Sequence, residues 1–157
     1  MRVPLATASI GAAICAALSV AGCTAKPAAE LRAEAAWVRL PAAAGRPAAG
    51  YLVLHGGATA DRLTAIESPA AKRAELHSGG MMHGMATMRP MDGVDLPAEG
   101  RIAFAPGGDH VMLFGVDPAI RAGATMPLRL RFRSGAAVEA NARVIAAGDP
   151  APTGDPQ

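Results

Sequence analysis

From Ala33 onward the apolar residues come in short runs broken by Gly, Pro and Asp, and no stretch keeps an i, i+3, i+4, i+7 pattern for three turns. This is the pattern of strands, and it predicts nine: Ala35–Leu40, Gly50–Gly56, Asp61–Glu67, Arg73–His77, Ala86–Pro90, Arg101–Phe104, His110–Val116, Met126–Arg133 and Val138–Ile145. The alternation is plainest in Leu128-Arg129-Leu130-Arg131-Phe132-Arg133, which sets three apolar side chains on one face and three arginines on the other, solvated face. Nine short strands in about 115 residues fit an all-β, two-sheet antiparallel β-sandwich with Greek-key connections. Pro41 to Pro47, Ser68 to Ala71, Asp92-Gly93 and Pro106-Gly107-Gly108 supply the turns. Trp37 and Tyr51 are expected in the core.

The N-terminus follows a different pattern. Arg2 precedes an Ala-rich apolar stretch from Val3 to Val20 that ends in Val20-Ala21-Gly22-Cys23, which resembles the signal peptide of a bacterial lipoprotein. Residues 1–22 are then the export signal and Cys23 is the lipidated first residue of the mature chain. The protein is expected to be exported and membrane-anchored, facing the periplasm or the cell exterior. Residues 23–32 read as a flexible tether, 33–146 as the folded domain, and 147–157, rich in Pro, Gly and Asp, as a disordered tail.

Composition narrows the chemistry. The 157 residues include 38 Ala and only five aromatics, and the formal charge of +2 offers no electrostatic case for nucleic acid. Both cysteines, Cys15 and Cys23, precede the domain, so neither a disulfide framework nor a thiolate cluster supports the body. No Gly-x-Ser-x-Gly elbow or convincing carboxylate pair is present, which argues against an enzyme.

What remains is sulfur of another kind. Met81, Met82, Met85, Met88 and Met91 fall within eleven residues, around His83 and just after His77. Downstream, His110 and Met112 are two apart in a predicted strand and so share a face, with Val111 and Leu113 turned into the sandwich. Pro106-Gly107-Gly108 would turn the chain sharply into that strand. Thioether is soft and needs no deprotonation, so Met with imidazole favours Cu(I) over Zn(II). A blue-copper electron carrier would need a Cys thiolate that the domain lacks.

Together these residues read His77-x10-Met88-x21-His110-x-Met112. The pattern resembles that of the periplasmic copper chaperones called PCu(A)C, as do Ala36-Trp37-Val38-Arg39, Gly50-Tyr51-Leu52-Val53-Leu54, Ala74-Glu75-Leu76-His77, Met88-Arg89-Pro90 and Pro106-Gly107-Gly108, in family order over about residues 33–146. The resemblance implies a cupredoxin-like β-sandwich and a Cu(I) site of His77, Met88, His110 and Met112. It implies delivery of copper toward the binuclear centre of cytochrome c oxidase, with oxidase subunit II or a Sco-type thiol protein as acceptor. Asp109 stands where the family often has an aromatic; its carboxylate would bond an imidazole or sit exposed. The Met81-Met82-His83-Gly84-Met85 insert reads as a glycine-flanked loop that would supply extra ligands, cover the site, bind a second copper or stay solvated. A copper buffer or resistance lipoprotein, sequestering Cu(I) or Cu(II) with Met81, Met82, His83 and Met85, is the alternative reading.

Overall fold

The computed structural model describes residues 29–153. The signal segment, Cys23 and the last four residues lie outside the described residues. Ten strands follow in order: β1 (Arg32–Arg39), β2 (Ala48–His55), β3 (Asp61–Glu67), β4 (Ala71–Met82), β5 (Met85–Met91), β6 (Val94–Leu96), β7 (Arg101–Phe104), β8 (His110–Val116), β9 (Thr125–Phe132) and β10 (Ala137–Ile145). The strand order is β5-β4-β8-β2-β1-β10-β9-β3-β6, with β7 and β8 sharing one edge of β2. Consecutive strands are thus often not neighbours, as expected of a sandwich with crossing connections. Every ladder is antiparallel except that of β1 with β10. No helix among the described residues is long and apolar enough to cross a membrane.

Alternation decides what lies inside. Val38, Leu52, Leu54, Leu76, Val111, Leu113, Leu128, Leu130, Phe132 and Val144 turn inward into one apolar cluster that also holds Phe104 and Met126. At about 25 cal/mol per Å² this burial is the main favourable term in folding. The three arginines of the Leu128–Arg133 run face solvent, as the alternation predicts, and Arg131 pairs with Glu67 at 2.8 Å.

A bulge in β1 builds a second, smaller cluster on the outside of the sheet. Glu34 pairs with Val53 but Trp37 with Tyr51, so Ala35 and Ala36 together oppose Leu52, with Ala35 in the left-handed region at φ 49°. The extra residue reverses the parity of the strand and turns Trp37 outward. There it stacks on Tyr51 with ring centroids 4.3 Å apart, beside Ile145, Ala49 and Ala151. Trp37 and Tyr51 are therefore buried, but not in the sandwich interior.

Four expectations change. β6 has only three residues and follows Asp92-Gly93, too short to register as a run. The insert expected as a loop is instead hairpin: β4 continues to Met82 and β5 begins at Met85. The tether ends earlier than residue 32, since Leu31 packs on the core and Arg32 pairs with His55. Disorder from residue 147 also fails for the described part of the tail: Arg39 donates to the carbonyls of Ala147 and Asp149, Asp149 accepts from the Ala146 amide, and Ala151 packs in the Trp37 cluster.

Candidate metal centre

Directly opposed residues in an antiparallel ladder share a face. His77 on β4 stands opposite His110 on β8, Glu75 opposite Met112, Gly79 opposite Met88 on β5, and Ala49 on β2 opposite Met112. This register sets His77, Met88, His110 and Met112 on one outward face of the sheet, three strands wide. Val111 and Leu113 are fully buried on the other side, so the expected orientation of β8 is found.

The His110 end is built by a turn and a close approach. Ala105-Pro106-Gly107-Gly108 forms a type II turn, with the Gly108 amide donating to Ala105 O at 3.0 Å and Gly107 at φ 84°. The Gly108 carbonyl then accepts from the Gly79 amide at 3.1 Å and from His110 Nδ1 at 2.9 Å. Gly79 is glycine for this reason: a Cβ there would lie 2.5 Å from Gly108 O. The second of these bonds fixes the tautomer of His110 with the proton on Nδ1, which leaves Nε2 as a lone-pair donor.

His77 is fixed from the other side. Its Nε2 lies 3.0 Å from Glu75 Oε2, and Arg73 Nε holds the other carboxylate oxygen at 3.0 Å. His77 Nδ1 is buried and has no hydrogen-bond partner. A buried nitrogen left unpaired costs free energy unless something occupies it, and an imidazole lone pair is a metal ligand. The two imidazole centroids lie 5.9 Å apart. With a metal–nitrogen bond of about 2 Å, two rings sharing one ion have centroids up to roughly 6 Å apart.

The thioethers complete the face. A cavity of about 280 Å³ is lined by Met88, His110, Met112, Met81, Tyr51 and the glycines Gly79 and Gly108, among others. Met112 is half-buried and Met88 is 62% exposed, at the rim. Among the described residues no three of His, Cys, Asp and Glu are grouped as a metal site.

Of the four residues considered as extra ligands, only Met81 shares this face. Met82 and Met85 oppose each other on the reverse face of the hairpin, and His83 sits in its turn. Asp109 bonds neither imidazole; the carboxylate that does is Glu75. The Glu75-x-His77 spacing was the available signal for it, because residues two apart on a strand share a face. His55 is taken up by Glu34 at 2.6 Å and stands apart from the site.

The profile of a family described as "Putative lipoprotein LpqE-like" matches residues 31–144. The chain belongs to the LpqE-like family. A curated relative of this LpqE-like chain, "Putative lipoprotein Lxx21020" of Leifsonia xyli subsp. xyli, is 34% identical over 101 residues, 64% of the chain and 60% of the relative. The LpqE-like chain thus matches about 60% of that relative's length. Among solved structures, the apo PCuAC domain from PmoF1 is 26% identical with a TM-score of 0.61, over 77% of the chain and 98% of that domain. The Cu(I) form of DR1885 from Deinococcus radiodurans is 28% identical with a TM-score of 0.54, over 80% and 83%. The copper-bound PCuAC domain from PmoF2, 24% identical with a TM-score of 0.61 over 77% and 97%, shares the fold. The LpqE-like chain is of PCuAC type, with the cupredoxin-like β-fold of those neighbours.

Proposed function

We propose that this protein is an extracytoplasmic Cu(I) carrier, anchored by a lipid on Cys23, that holds copper with His77, Met88, His110 and Met112. The observation that supports this most directly is the pairing of His77 with His110, one with a buried unpartnered Nδ1 and the other with Nε2 left free by its bond to Gly108. The likeness to PCuAC domains, two of them named as copper-loaded, favours copper as the ion.

Copper is cargo in this reading. Four neutral ligands hold Cu(I) by softness, with no thiolate to make the bond hard to exchange. Met88 at the rim is the ligand an incoming partner meets first. A thiolate replacing it binds Cu(I) more strongly, so transfer to a cysteine-rich acceptor runs downhill. Cytochrome c oxidase subunit II and a Sco-type protein both fit that chemistry as acceptors, and no bond in the protein need be made or broken, which suits a carrier rather than an enzyme.

The test is a titration with Cu(I) against a chromophoric chelator, comparing the wild type with the double variant His110→Ala, Met112→Ala. One tight equivalent lost in the variant is the expected result; tight binding that survives it would overturn the site.

A further inference from the structure

The methionines of the β4–β5 hairpin divide between its two faces. Met81 and Met88 look toward the cavity just described. Met82 and Met85 are directly opposed on the reverse face, flanking the two-residue turn His83-Gly84, whose φ values of 51° and 79° make it a type I′ turn. That geometry holds the two thioether stems in one orientation, with Cβ atoms about 5 Å apart, a span that two sulfurs bound to one ion can close.

Packing does not explain these residues. Met fills irregular gaps in cores. Here Met82 is 43% and Met85 68% exposed, and with Met81 and Met88 they are the large apolar side chains most open to solvent among the described residues. His83 is exposed as well, and glycine or asparagine would serve a type I′ turn with less strain. A type I′ turn therefore carries two thioethers and one imidazole, all soft or borderline donors and all uncharged when the imidazole is neutral.

We infer that the hairpin tip is a second soft-metal site, in which Met82, Met85 and His83 bind a monovalent d¹⁰ ion, Cu(I) or its analogue Ag(I). It has three donors on an exposed turn, against four on a half-buried face, so it fills second and exchanges faster. Met82 lies five positions beyond His77, about 17 Å along β4 and on the opposite face, so the two sites do not share a ligand. Met81 lies on the cavity face one residue before the tip. An ion captured at the tip is thereby one residue from a thioether that lines the main cavity, which makes the tip a loading station. This role rests on the carrier reading; the tip site itself does not.

The experiment is a titration of the full chain, labelled with ¹³C at the methionine methyls, with Ag(I) as the probe. The expected result is that Met88 and Met112 methyls shift over the first equivalent and Met82 and Met85 shift together over the second. The double variant Met82→Ala, Met85→Ala should lose the second equivalent and keep the first, while His110→Ala, Met112→Ala should lose the first and keep the Met82 and Met85 shifts. Methyls of Met82 and Met85 that stay unmoved past two equivalents, or a second equivalent that survives their removal, would overturn the tip site and leave the main site standing. Loss of only the first equivalent's response in the wild type would instead count against the carrier site.

Discussion

Glu75 is the residue whose contribution is easiest to isolate. It accepts from His77 Nε2 while Arg73 fixes it in place, and this holds the imidazole so that Nδ1 carries the lone pair. Groups that orient a ligand in this way typically change metal affinity by about 10–100-fold when removed. Glu75→Ala should therefore weaken Cu(I) binding by about that factor, measured by chelator competition, with Glu75→Gln losing less because its amide oxygen still accepts. The melting temperature of the apo protein should move little in either variant, since Glu75 faces outward. Asp61 serves the fold instead. The Ser134 hydroxyl, more than the amides of Arg62 and Ser134, holds its carboxyl below the usual range. A carboxylate depressed by folding stabilises the protein above its unfolded value, near 4, and the contribution disappears as pH falls through the folded value. Asp61→Asn should thus melt lower than wild type at pH 7, and the gap should close on titration below pH 4.

At the scale of elements, the site depends on how closely the β4–β5 hairpin approaches the turn before β8. The contact is backbone on backbone, Gly79 N to Gly108 O, and leaves no room for a side chain. Gly79→Ala must push the hairpin away from β8, losing that bond and parting Met88 from His110. Overpacking of this kind costs about 1–3 kcal/mol. The neighbouring Gly80 is the control, because a Cβ there meets nothing closer than Thr87 Oγ1 at 3.8 Å. Thermal melts and Cu(I) affinities of the two alanine variants should separate clearly, with Gly80→Ala near wild type in both. The same element marks where reading the sequence stops short. Gly79-Gly80 look like breakers in a linear pattern, because nothing local says that the Gly108 carbonyl, far along the chain, occupies the space of a Cβ. The bulge at Ala35-Ala36 was hidden in a similar way: two alanines carry no alternation, so the reversal that turns Trp37 outward had no trace in the hydrophobic pattern.

Across the whole molecule, what could be read from the chain was whatever depends on alternation within one strand. The inward set of β8 and the shared face of His110 and Met112 follow from parity alone, and the arginine face of β9 does as well. What depended on long-range pairing was not legible: the parallel contact of β1 with β10, the three-residue β6, and the return of the tail onto Trp37 through Arg39. The resulting architecture separates the apolar core from the proposed ligands. The larger apolar cluster lies on the inner face of the ten-stranded sheet, whereas His77, Met88, His110 and Met112 lie on the outer face and belong to neither apolar cluster. A domain stabilised this way is expected to fold with no ion bound, unlike small zinc modules whose metal replaces a core. The apo protein should therefore unfold in a single cooperative transition. Copper adds only the linkage term, about 2.7 kcal/mol at a free concentration one hundred times Kd, or a rise on the order of 10 °C for a domain of this size. Met88→Ala, at the exposed rim, should leave the apo melt unchanged and remove most of that rise. Calorimetry of both proteins with and without Cu(I) checks it: an apo chain that melts without cooperativity would mean that the ion, rather than the sandwich core, holds the fold together.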